Sequence, residues 1–245
     1  MKTAFITGAN KGIGFETARQ LALKGYYVYL GCRNLENGRH AVEKLKGEGL
    51  QNIEAIEIDI CKKDSVDEAK NKVGTRFNKL DILINNAGIR GDYPQIPSTI
   101  NIEAVKQVYQ TNLFGTIQVI QSFLELLKNS SAPRIINVTS GLASLTLHND
   151  PTWKYYSFKG AAYGPSKTAL NAYTVALAYE LRDTSFKINA VDPGYTATEF
   201  NQYRGKKHVS EAAAFIIKYA TLDENGPSGK YFSDDNNPAT DESPW

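Results

Sequence analysis

The sequence is poor in the residues that build metal centres and disulfide frameworks. Its 245 residues include only two cysteines, Cys32 and Cys61, and three histidines, and these five residues are scattered along the chain. A structural zinc site needs four nitrogen or sulfur ligands, and a disulfide framework needs several spaced cysteines. We therefore expect no metal. Two unpaired cysteines suit a reducing compartment, so we expect a cytoplasmic protein.

Long apolar runs and an excess of one charge are also missing. No segment has 18 consecutive apolar residues, and the apolar run near Met1 stops at a glycine-rich loop, which predicts a strand and not a signal peptide. Lys and Arg number 28 and Asp and Glu 26, which leaves a formal net charge of +2. Nucleic-acid binding would require a clustered basic face. We therefore expect neither a membrane nor a nucleic-acid partner.

What the sequence does contain is a regular alternation of short β-type runs and longer helical runs. The predicted strands are 2–7, 26–31, 52–58, 80–85, 134–139, 187–191 and 229–232. The predicted helices are 12–24, 35–46, 64–77, 103–128 as one or two helices, 162–182 and 210–220. This order favours right-handed βαβ crossovers. The prediction is an α/β fold with one Rossmann-type domain over 1–232, in which helices cover both faces of a doubly wound, parallel, seven-stranded sheet. The polar residues 233–245 are predicted to form a surface extension, whose Trp245 is free to dock on the body of the domain.

A glycine-rich segment separates the first predicted strand from the first predicted helix. Gly8, Gly12 and Gly14 have the spacing G-x-x-x-G-x-G, which differs from the dinucleotide fingerprint G-x-G-x-x-G. Glycine lets the backbone approach a pyrophosphate, and the helix start adds free N–H groups and a partial positive charge. The strand, turn and helix together predict a site for a dinucleotide.

The residue after the second strand indicates which nicotinamide dinucleotide binds. An acidic residue there suits the ribose 2′-hydroxyl of NAD, whereas arginine suits the 2′-phosphate of NADP. This chain has Arg33 at that place, and Lys11 in the glycine-rich turn adds a second cation. The two cations favour NADP(H). The alternative is that Arg33 merely begins a solvated loop.

A phenol and an ammonium group lie four residues apart at the start of predicted helix 162–182. Tyr163 and Lys167 therefore share one helix face. A free tyrosine has a pKa near ~10, and a nearby ammonium lowers it, so we expect a lowered pKa for Tyr163 and a role as a proton donor. Tyr155 and Lys159 have the same spacing, but they lie among proline and glycine residues that predict a loop. We therefore prefer Tyr163.

Over nearly its whole length the chain resembles the short-chain dehydrogenase/reductase family, and within it the carbonyl reductase branch. The matching motifs are the turn Thr7–Gly14 with Asn10, Lys11 and Ile13, then Asp59-Ile60, Asn85-Asn86-Ala87-Gly88, Asn112, Ser140, Tyr163 with Lys167, and Pro193-Gly194 followed by Thr196 and Thr198. Asn10-Lys11, Arg33 and the long stretch before Tyr163 point to the branch.

The resemblance implies a role for each matching residue. Asn112, Ser140, Tyr163 and Lys167 are the expected catalytic residues. The expected cofactor-binding residues are Gly8, Asn10, Lys11, Gly12, Ile13, Gly14, Arg33, Asp59, Ile60, Asn86, Ala87, Gly88, Tyr163, Lys167, Pro193, Gly194, Thr196 and Thr198. In the implied reaction, a ketone or aldehyde receives a hydride from NADPH, Tyr163 protonates the oxygen and Ser140 hydrogen bonds to it. Lys167 also holds the nicotinamide ribose, and Asn112 positions a water that relays protons to Lys167.

The substrate is a small carbonyl compound or alcohol whose identity the sequence leaves open. The resemblance places it under segment 195–208, which contains Phe200 and Tyr203. A second aromatic cluster, 153–158, precedes Tyr163. These aromatic residues form either the wall for a bulky apolar substrate or the small core of a loop. In the branch, an insertion before the catalytic tyrosine covers a helical face otherwise used for oligomerisation, which favours a monomer.

Two other functions stay open at this stage. One is the reduction of 3-oxo esters linked to acyl carrier protein, which the cations Arg204, Lys206 and Lys207 would suit. The other is a sensor or scaffold that binds NADP without turnover. A pure binding protein has no use for a proton donor, so the tyrosine and lysine pair argues against the second alternative.

Overall fold

The computed structural model describes residues 1–245, and its centre is a parallel sheet of seven strands in the order β3-β2-β1-β4-β5-β6-β7. The strands are β1 Thr3–Thr7, β2 Tyr27–Cys32, β3 Ile53–Glu57, β4 Ile82–Asn85, β5 Arg134–Val138, β6 Lys187–Asp192 and β7 Tyr231–Ser233. All six neighbouring pairs are parallel. The predicted doubly wound α/β fold is confirmed.

Eight α-helices connect these strands. They are α1 Gly12–Leu23, α2 Leu35–Gly47, α3 Lys63–Phe77, α4 Ile102–Tyr109, α5 Thr116–Lys128, α6 Leu145–His148, α7 Tyr163–Glu180 and α8 Val209–Ala220. Helices α1, α2 and α8 bury apolar side chains against one face of the sheet. Helices α3, α5 and α7 do the same on the other face. Strands β1, β2, β4 and β5 are buried along their whole length on both faces, which explains why their sequences are nearly continuous apolar runs.

The region predicted as one or two helices over 103–128 is two helices joined by a π-helical turn, Gln110–Gly115. Such turns interrupt the regular backbone ladder and often occur at functional sites. Periodicity does not reveal this turn, because the apolar spacing on each side of it is that of an ordinary helix. The short helix α6 and the 3₁₀ turns Gly141–Ala143 and Glu199–Asn201 were also not predicted.

Segment 233–245 folds back onto the sheet edge. Phe232 forms an isolated bridge with Glu242, and the backbone N–H of Ser243 donates to the carbonyl of Tyr231 at 2.9 Å. The ring of Trp245 lies 5.5 Å from that of Tyr231, centroid to centroid. The segment therefore covers the far edge of the sheet. None of the helices combines the length and apolar character needed to cross a membrane.

Candidate active site

The predicted site residues follow the carboxyl ends of the first six strands and meet at one edge of the sheet. Strand order reverses between β1 and β4, whose following helices cover opposite faces. In open α/β sheets, ligands bind in the crevice at such a switch point. The topology therefore brings together candidates that are distant in sequence.

The glycine-rich turn has the geometry of an anion cradle. Gly8 has a φ of +63°, and a Cβ built there would lie 3.0 Å from the Cα of Ala87. A Cβ on Gly14 would lie 2.5 Å from the amide nitrogen of Asn86. Helix α1 starts without a side-chain cap or an acidic residue in its first turn. Its first turn is therefore open to an anionic ligand.

Asn86 holds this turn against the end of β4. Its side-chain amide donates to the carbonyls of Thr7 at 2.9 Å and Gly8 at 3.1 Å. The Thr7 hydroxyl in turn accepts from the backbone N–H groups of Asn86 and Ala87, both at 3.0 Å. Two cofactor candidates, Asn86 and Ala87, are therefore clamped directly to the glycine-rich turn that contains Asn10 and Ile13.

The two cations predicted to select the cofactor differ in their surroundings. Arg33 is exposed just beyond β2, and the N–H of Ala9 donates to the carbonyl of Gly31 at 2.9 Å, which ties β2 to the glycine-rich turn. Lys11, by contrast, forms an exposed ion pair with Glu199 at 2.8 Å. The 3₁₀ turn of segment 195–208 therefore brings a carboxylate to Lys11, while the role of both cations in cofactor binding stays a prediction.

Asp59 and Ile60 lie just after β3, on the same edge. The Asp59 carboxylate accepts from the backbone N–H of Cys61 at 3.1 Å and lies 3.6 Å from the Lys62 ammonium. The carbonyl of Ile60 accepts from the Gln118 amide at 3.0 Å. These contacts fix the start of the β3 to α3 connection.

Asn112 lies fully buried inside the π-helical turn. Its oxygen accepts from the N–H of Ile89 at 2.8 Å, and its nitrogen donates to the carbonyl of Ile89 at 2.9 Å and to the Ser166 hydroxyl at 3.0 Å. Asn112 is therefore not a helix cap. It joins the segment after β4 to the first turn of α7, which carries Tyr163.

Gly88 marks the point where Asn112 and Lys167 come together. A Cβ built on Gly88 would lie 3.2 Å from the Asn112 side-chain oxygen and 3.6 Å from the Lys167 ammonium. The ammonium is 4% exposed and donates to the Val138 carbonyl at 2.8 Å. Burial lowers the pKa of Lys167 to about 8. Part of the Lys167 population can therefore exchange a proton near neutral pH.

Tyr163 begins α7 and faces Ser140, which follows β5. Burial raises the pKa of the Tyr163 phenol, and the Asp192 carboxylate raises it further. The Ser140 hydroxyl acts in the opposite direction and lowers the pKa of Tyr163. The expected lowering of the Tyr163 pKa is therefore wrong for the protein without cofactor, because desolvation and the Asp192 carboxylate outweigh the effect of the Ser140 hydroxyl. A raised pKa keeps the phenol protonated.

The Ser140 backbone is supported from β7. The Tyr231 hydroxyl donates to the Ser140 carbonyl at 2.8 Å, and the Ser140 hydroxyl accepts from the N–H of Leu142 at 3.2 Å. Ser140 is thus also the cap of the 3₁₀ turn Gly141–Ala143. Both contacts restrict where its side chain lies.

Pro193 and Gly194 form a turn after β6, held by the buried carboxyl of Asp192. That carboxyl accepts from the N–H of Gly194 at 3.0 Å and from the Ser233 hydroxyl at 2.7 Å, and burial raises its pKa. The hydroxyl of Thr196 donates to the Gly194 carbonyl at 3.1 Å. A Cβ on Gly12 would lie 3.6 Å from a methyl group of Thr198. The turn after β6 therefore contacts the glycine-rich turn.

Aromatic side chains surround Tyr163 on the substrate side. The Phe200 ring lies 5.8 Å from the Tyr163 ring. Trp153 packs edge-on against Tyr155 at 5.5 Å, and Tyr155 packs against Tyr195 at 6.3 Å. The cluster before Tyr163 therefore both packs on itself and reaches segment 195–208. The contacts bear out the interpretation of a loop with its own small core, and the substrate wall stays a prediction.

Tyr155 differs from Tyr163 in its local structure. It lies in a turn outside any helix, and its hydroxyl donates to Asp235 at 3.4 Å. Of the two tyrosines, the geometry therefore favours Tyr163, because it lies in a helix with its lysine one turn away. Lys207, one of three cations that would suit a carrier protein, is paired with Asp234 and directed to the Pro193 carbonyl.

Sequence reasoning missed three residues that contact the site from outside the motifs. They are Asp192, Tyr231 and Gln95. Asp192 directly precedes the Pro-Gly turn, so a carboxyl beside a matched motif was a usable signal. Tyr231 and Gln95 lie in segments without a motif, and only the folded chain brings them to the site.

Known proteins that resemble this chain indicate its family. The family described as short chain dehydrogenase matches residues 2–208. The (+)-neomenthol dehydrogenase of Capsicum annuum is 33% identical over 94% of this chain and 94% of its own length. The short-chain dehydrogenase anuI of Penicillium roqueforti is 36% identical over 94% of this chain and 93% of its own. The NADPH-bound carbonyl reductase from chicken fatty liver superposes with a TM-score of 0.84 at 25% identity, covering 100% of this chain and 99% of that one.

The chain belongs to the short-chain dehydrogenase family, in its carbonyl-reductase-like branch. The members are oxidoreductases that interconvert alcohols and carbonyl compounds with a nicotinamide cofactor.

Proposed function

We propose that this protein reduces the carbonyl group of a ketone or aldehyde with NADPH, with Tyr163 as the general acid. The observation that carries the proposal is the convergence of Tyr163, Lys167 and Asn112 at one edge of the sheet, with Ser140 facing the phenol. Lys167 and Asn112 approach the same point beside Gly88. A binding protein without turnover would have no use for a protonated phenol backed by a buried lysine.

The residues present fit a nicotinamide dinucleotide. The uncapped first turn of α1 and the absence of room for a Cβ at Gly8 and Gly14 suit a pyrophosphate. Asp59 would hold the adenine, and Arg33 with Lys11 would hold the 2′-phosphate of NADPH. When bound, the reduced nicotinamide supplies the hydride.

The chain itself supplies the proton and the positioning. Tyr163 donates its phenolic proton to the carbonyl oxygen as negative charge develops there, and Ser140 donates a hydrogen bond to the same oxygen. The raised pKa of Tyr163 keeps the proton in place until the oxygen needs it. Lys167, whose pKa is about 8, then returns a proton to Tyr163. Asn112 orients the path along which Lys167 regains its proton.

The substrate side favours a bulky apolar carbonyl compound. Phe200 and Tyr195 are 44% and 43% exposed, so their rings offer apolar surface beside Tyr163. Trp153 and Tyr155 extend that surface. A substrate with ring systems would bury part of this area, at roughly 25 cal/mol per Å² of apolar surface removed from water. The protein would act as a monomer in the cytoplasm, as the sequence led us to expect.

The direct test is a panel of ketones and aldehydes with NADPH oxidation followed by absorbance. Wild-type protein should turn over bulky apolar carbonyls. Tyr163→Phe keeps the ring and removes the acid, so it should lower the rate by roughly 10²–10⁴-fold. NADPH affinity, measured by fluorescence, should stay close to that of the wild type.

Tyr155→Phe is the matched control, since it removes the same atom from the other tyrosine with a lysine four residues on. Its turnover should stay within several-fold of wild type. Wild-type protein that reduces no carbonyl, or Tyr163→Phe that binds NADPH and reduces at the wild-type rate, would refute the proposal. A loss in Tyr155→Phe as large as that in Tyr163→Phe would move the acid to Tyr155.

A further inference from the structure

The first turn of α7 is capped by a residue from a different part of the chain. Helix α7 begins with Ala162 as its N-cap, which has no side-chain oxygen to accept from the first N–H groups. The side-chain oxygen of Gln95 takes that place. It accepts from the N–H of Ala162 at 3.2 Å and from the N–H of Tyr163 at 3.0 Å. A buried helix start is therefore satisfied by a group 68 residues away along the chain.

Gln95 is itself held on all sides. It is 4% exposed, and its side-chain nitrogen donates to the carbonyl of Arg90 at 2.8 Å. Its backbone carbonyl accepts from the N–H of Ala161 at 3.0 Å. A Cβ on Gly160 would lie 2.9 Å from the Gln95 side-chain oxygen, so the chain before α7 lies directly against it. A side chain fixed at both ends of its amide has one available position.

The segment that carries Gln95 also clamps Asn112. The backbone N–H of Ile89 donates to the side-chain oxygen of Asn112, and the side-chain nitrogen of Asn112 donates to the Ile89 carbonyl. Residues 89–95 therefore connect the π-helical turn to the start of α7. The two ends of this connection reach two residues of the proposed proton path, Asn112 and Tyr163.

We propose that Gln95 is a positioning residue that fixes the start of α7 and thereby the place of the Tyr163 hydroxyl relative to Ser140. The inference rests on the proposed function, because it assigns Tyr163 the role of acid. Gln95 acts through the backbone of Tyr163 and not on the substrate. A displacement of about 1 Å at a reacting group costs up to roughly 10²-fold in rate.

Gln95→Met tests this with a side chain of similar length that cannot accept or donate these hydrogen bonds. The rate constant kcat should fall by roughly 10- to 100-fold, while the Kd for NADPH, from fluorescence, changes by less than about twofold. Amide hydrogen exchange in the peptide covering 160–167 should speed up. Gln95→Glu keeps an acceptor for both N–H groups, and in its protonated form the carboxyl also donates to the Arg90 carbonyl as the Gln95 nitrogen does, so at a pH that keeps it protonated it should restore amide protection and most of the rate.

Asn101→Ala is the matched control. The side chain of Asn101 caps α4 by accepting from the N–H of Glu103 at 2.8 Å, and it lies outside the site. Its loss should lower thermal stability as the loss of a cap does, with kcat within about twofold of wild type. A fall in kcat equal to that of Gln95→Met would reduce the role of Gln95 to general stability and overturn the inference.

Three further outcomes test the positioning role of Gln95. Faster exchange at 160–167 with unchanged kcat would show a cap that does not position the acid, and would overturn the inference. A fall in kcat without faster exchange would also overturn it, because the effect would not pass through the helix start. If wild-type protein reduces no carbonyl, the proposed function fails. The exchange comparison of Gln95→Met, Gln95→Glu and wild type then decides alone whether Gln95 holds the start of α7.

Discussion

Lys167→Met should make the cofactor-free protein more stable while abolishing turnover. Lys167 is 4% exposed, and burial lowers its pKa from 10.5 to about 8. At about 1.4 kcal/mol per pKa unit, holding the ammonium inside the fold at pH 7 costs about 3 kcal/mol. Methionine removes that cost and fills a similar volume.

Part of this gain is offset by the carbonyl of Val138, which loses the hydrogen bond that Lys167 donates at 2.8 Å. An unmade bond to a buried carbonyl costs about 1–2 kcal/mol. The net gain is therefore about 1–2 kcal/mol, which raises Tm by about 3–6 °C in a chain of this size.

The pH dependence of stability shows independently that the buried Lys167 ammonium destabilises the fold. The folded-state pKa of about 8 lies below the ordinary 10.5, so the unfolded state binds more protons between these values. The contribution of Lys167 to wild-type stability is therefore lowest below pH 8 and rises as pH increases through this window. The advantage of Lys167→Met should be largest at pH 7 and shrink towards pH 10.

The assay is thermal unfolding at pH 7 and pH 10, with and without NADPH. Lys72→Met is the control, since Lys72 is exposed on α3 and has no carboxylate partner. NADPH should raise the Tm of wild type more than that of Lys167→Met, which has lost a ribose contact. A Lys167→Met protein that melts below wild type at pH 7, with Lys72→Met unchanged, would show that the ammonium stabilises the fold and would refute the reasoning.

Three other measurements address the cofactor and the proton supply. Arg33→Asp should weaken NADPH far more than NADH, by about 1.5–3 kcal/mol for one charge-assisted hydrogen bond; tighter binding of NADH than NADPH by wild type would contradict the assignment. Glu199→Gln should tighten NADPH by up to about fivefold, because it frees Lys11 from an exposed ion pair worth at most about 1 kcal/mol, and unchanged affinity would argue against a phosphate at Lys11. Since Lys167 has a pKa of about 8 and the Tyr163 pKa is raised, kcat/KM for NADPH in the reductive direction should fall as pH rises above 8, and a flat profile to pH 9.5 would exclude Lys167 from the proton path.

The sheet could be predicted from sequence because most of its strands are buried on both faces and the helices that cover it bury an apolar face. Buried strands therefore appear in the sequence as continuous or alternating apolar runs, and helices as apolar residues with a period of 3.6. The predicted strand β2 and the observed Tyr27–Cys32 differ by one residue at each end. The π-helical turn around Asn112 was not predicted, because an extra residue in a helical turn leaves the apolar spacing on both sides nearly intact.

Some features of the site could likewise be predicted from sequence, and others could not. Gly8, Gly14, Tyr163 and Lys167 could be predicted from sequence because a glycine-rich strand-to-helix turn and an i,i+4 spacing are local features of the chain. The direction of the Tyr163 pKa was predicted wrongly, since the spacing shows the ammonium but not the depth of burial. The ion pair between Lys11 and Glu199 could not be predicted either, because the two residues lie 188 positions apart.

By itself, the sequence determined the alternation of strands and helices, the glycine-rich turn and the order of the chemical groups, because each depends on near neighbours in the chain. Only the tertiary structure decided which polar groups are desolvated and which are paired. Gln95 caps the helix of Tyr163 from another segment, and Tyr231 supports the Ser140 backbone from β7. Hydrogen bonds and burial depend on distance in space, and the chain sets those distances only when it folds.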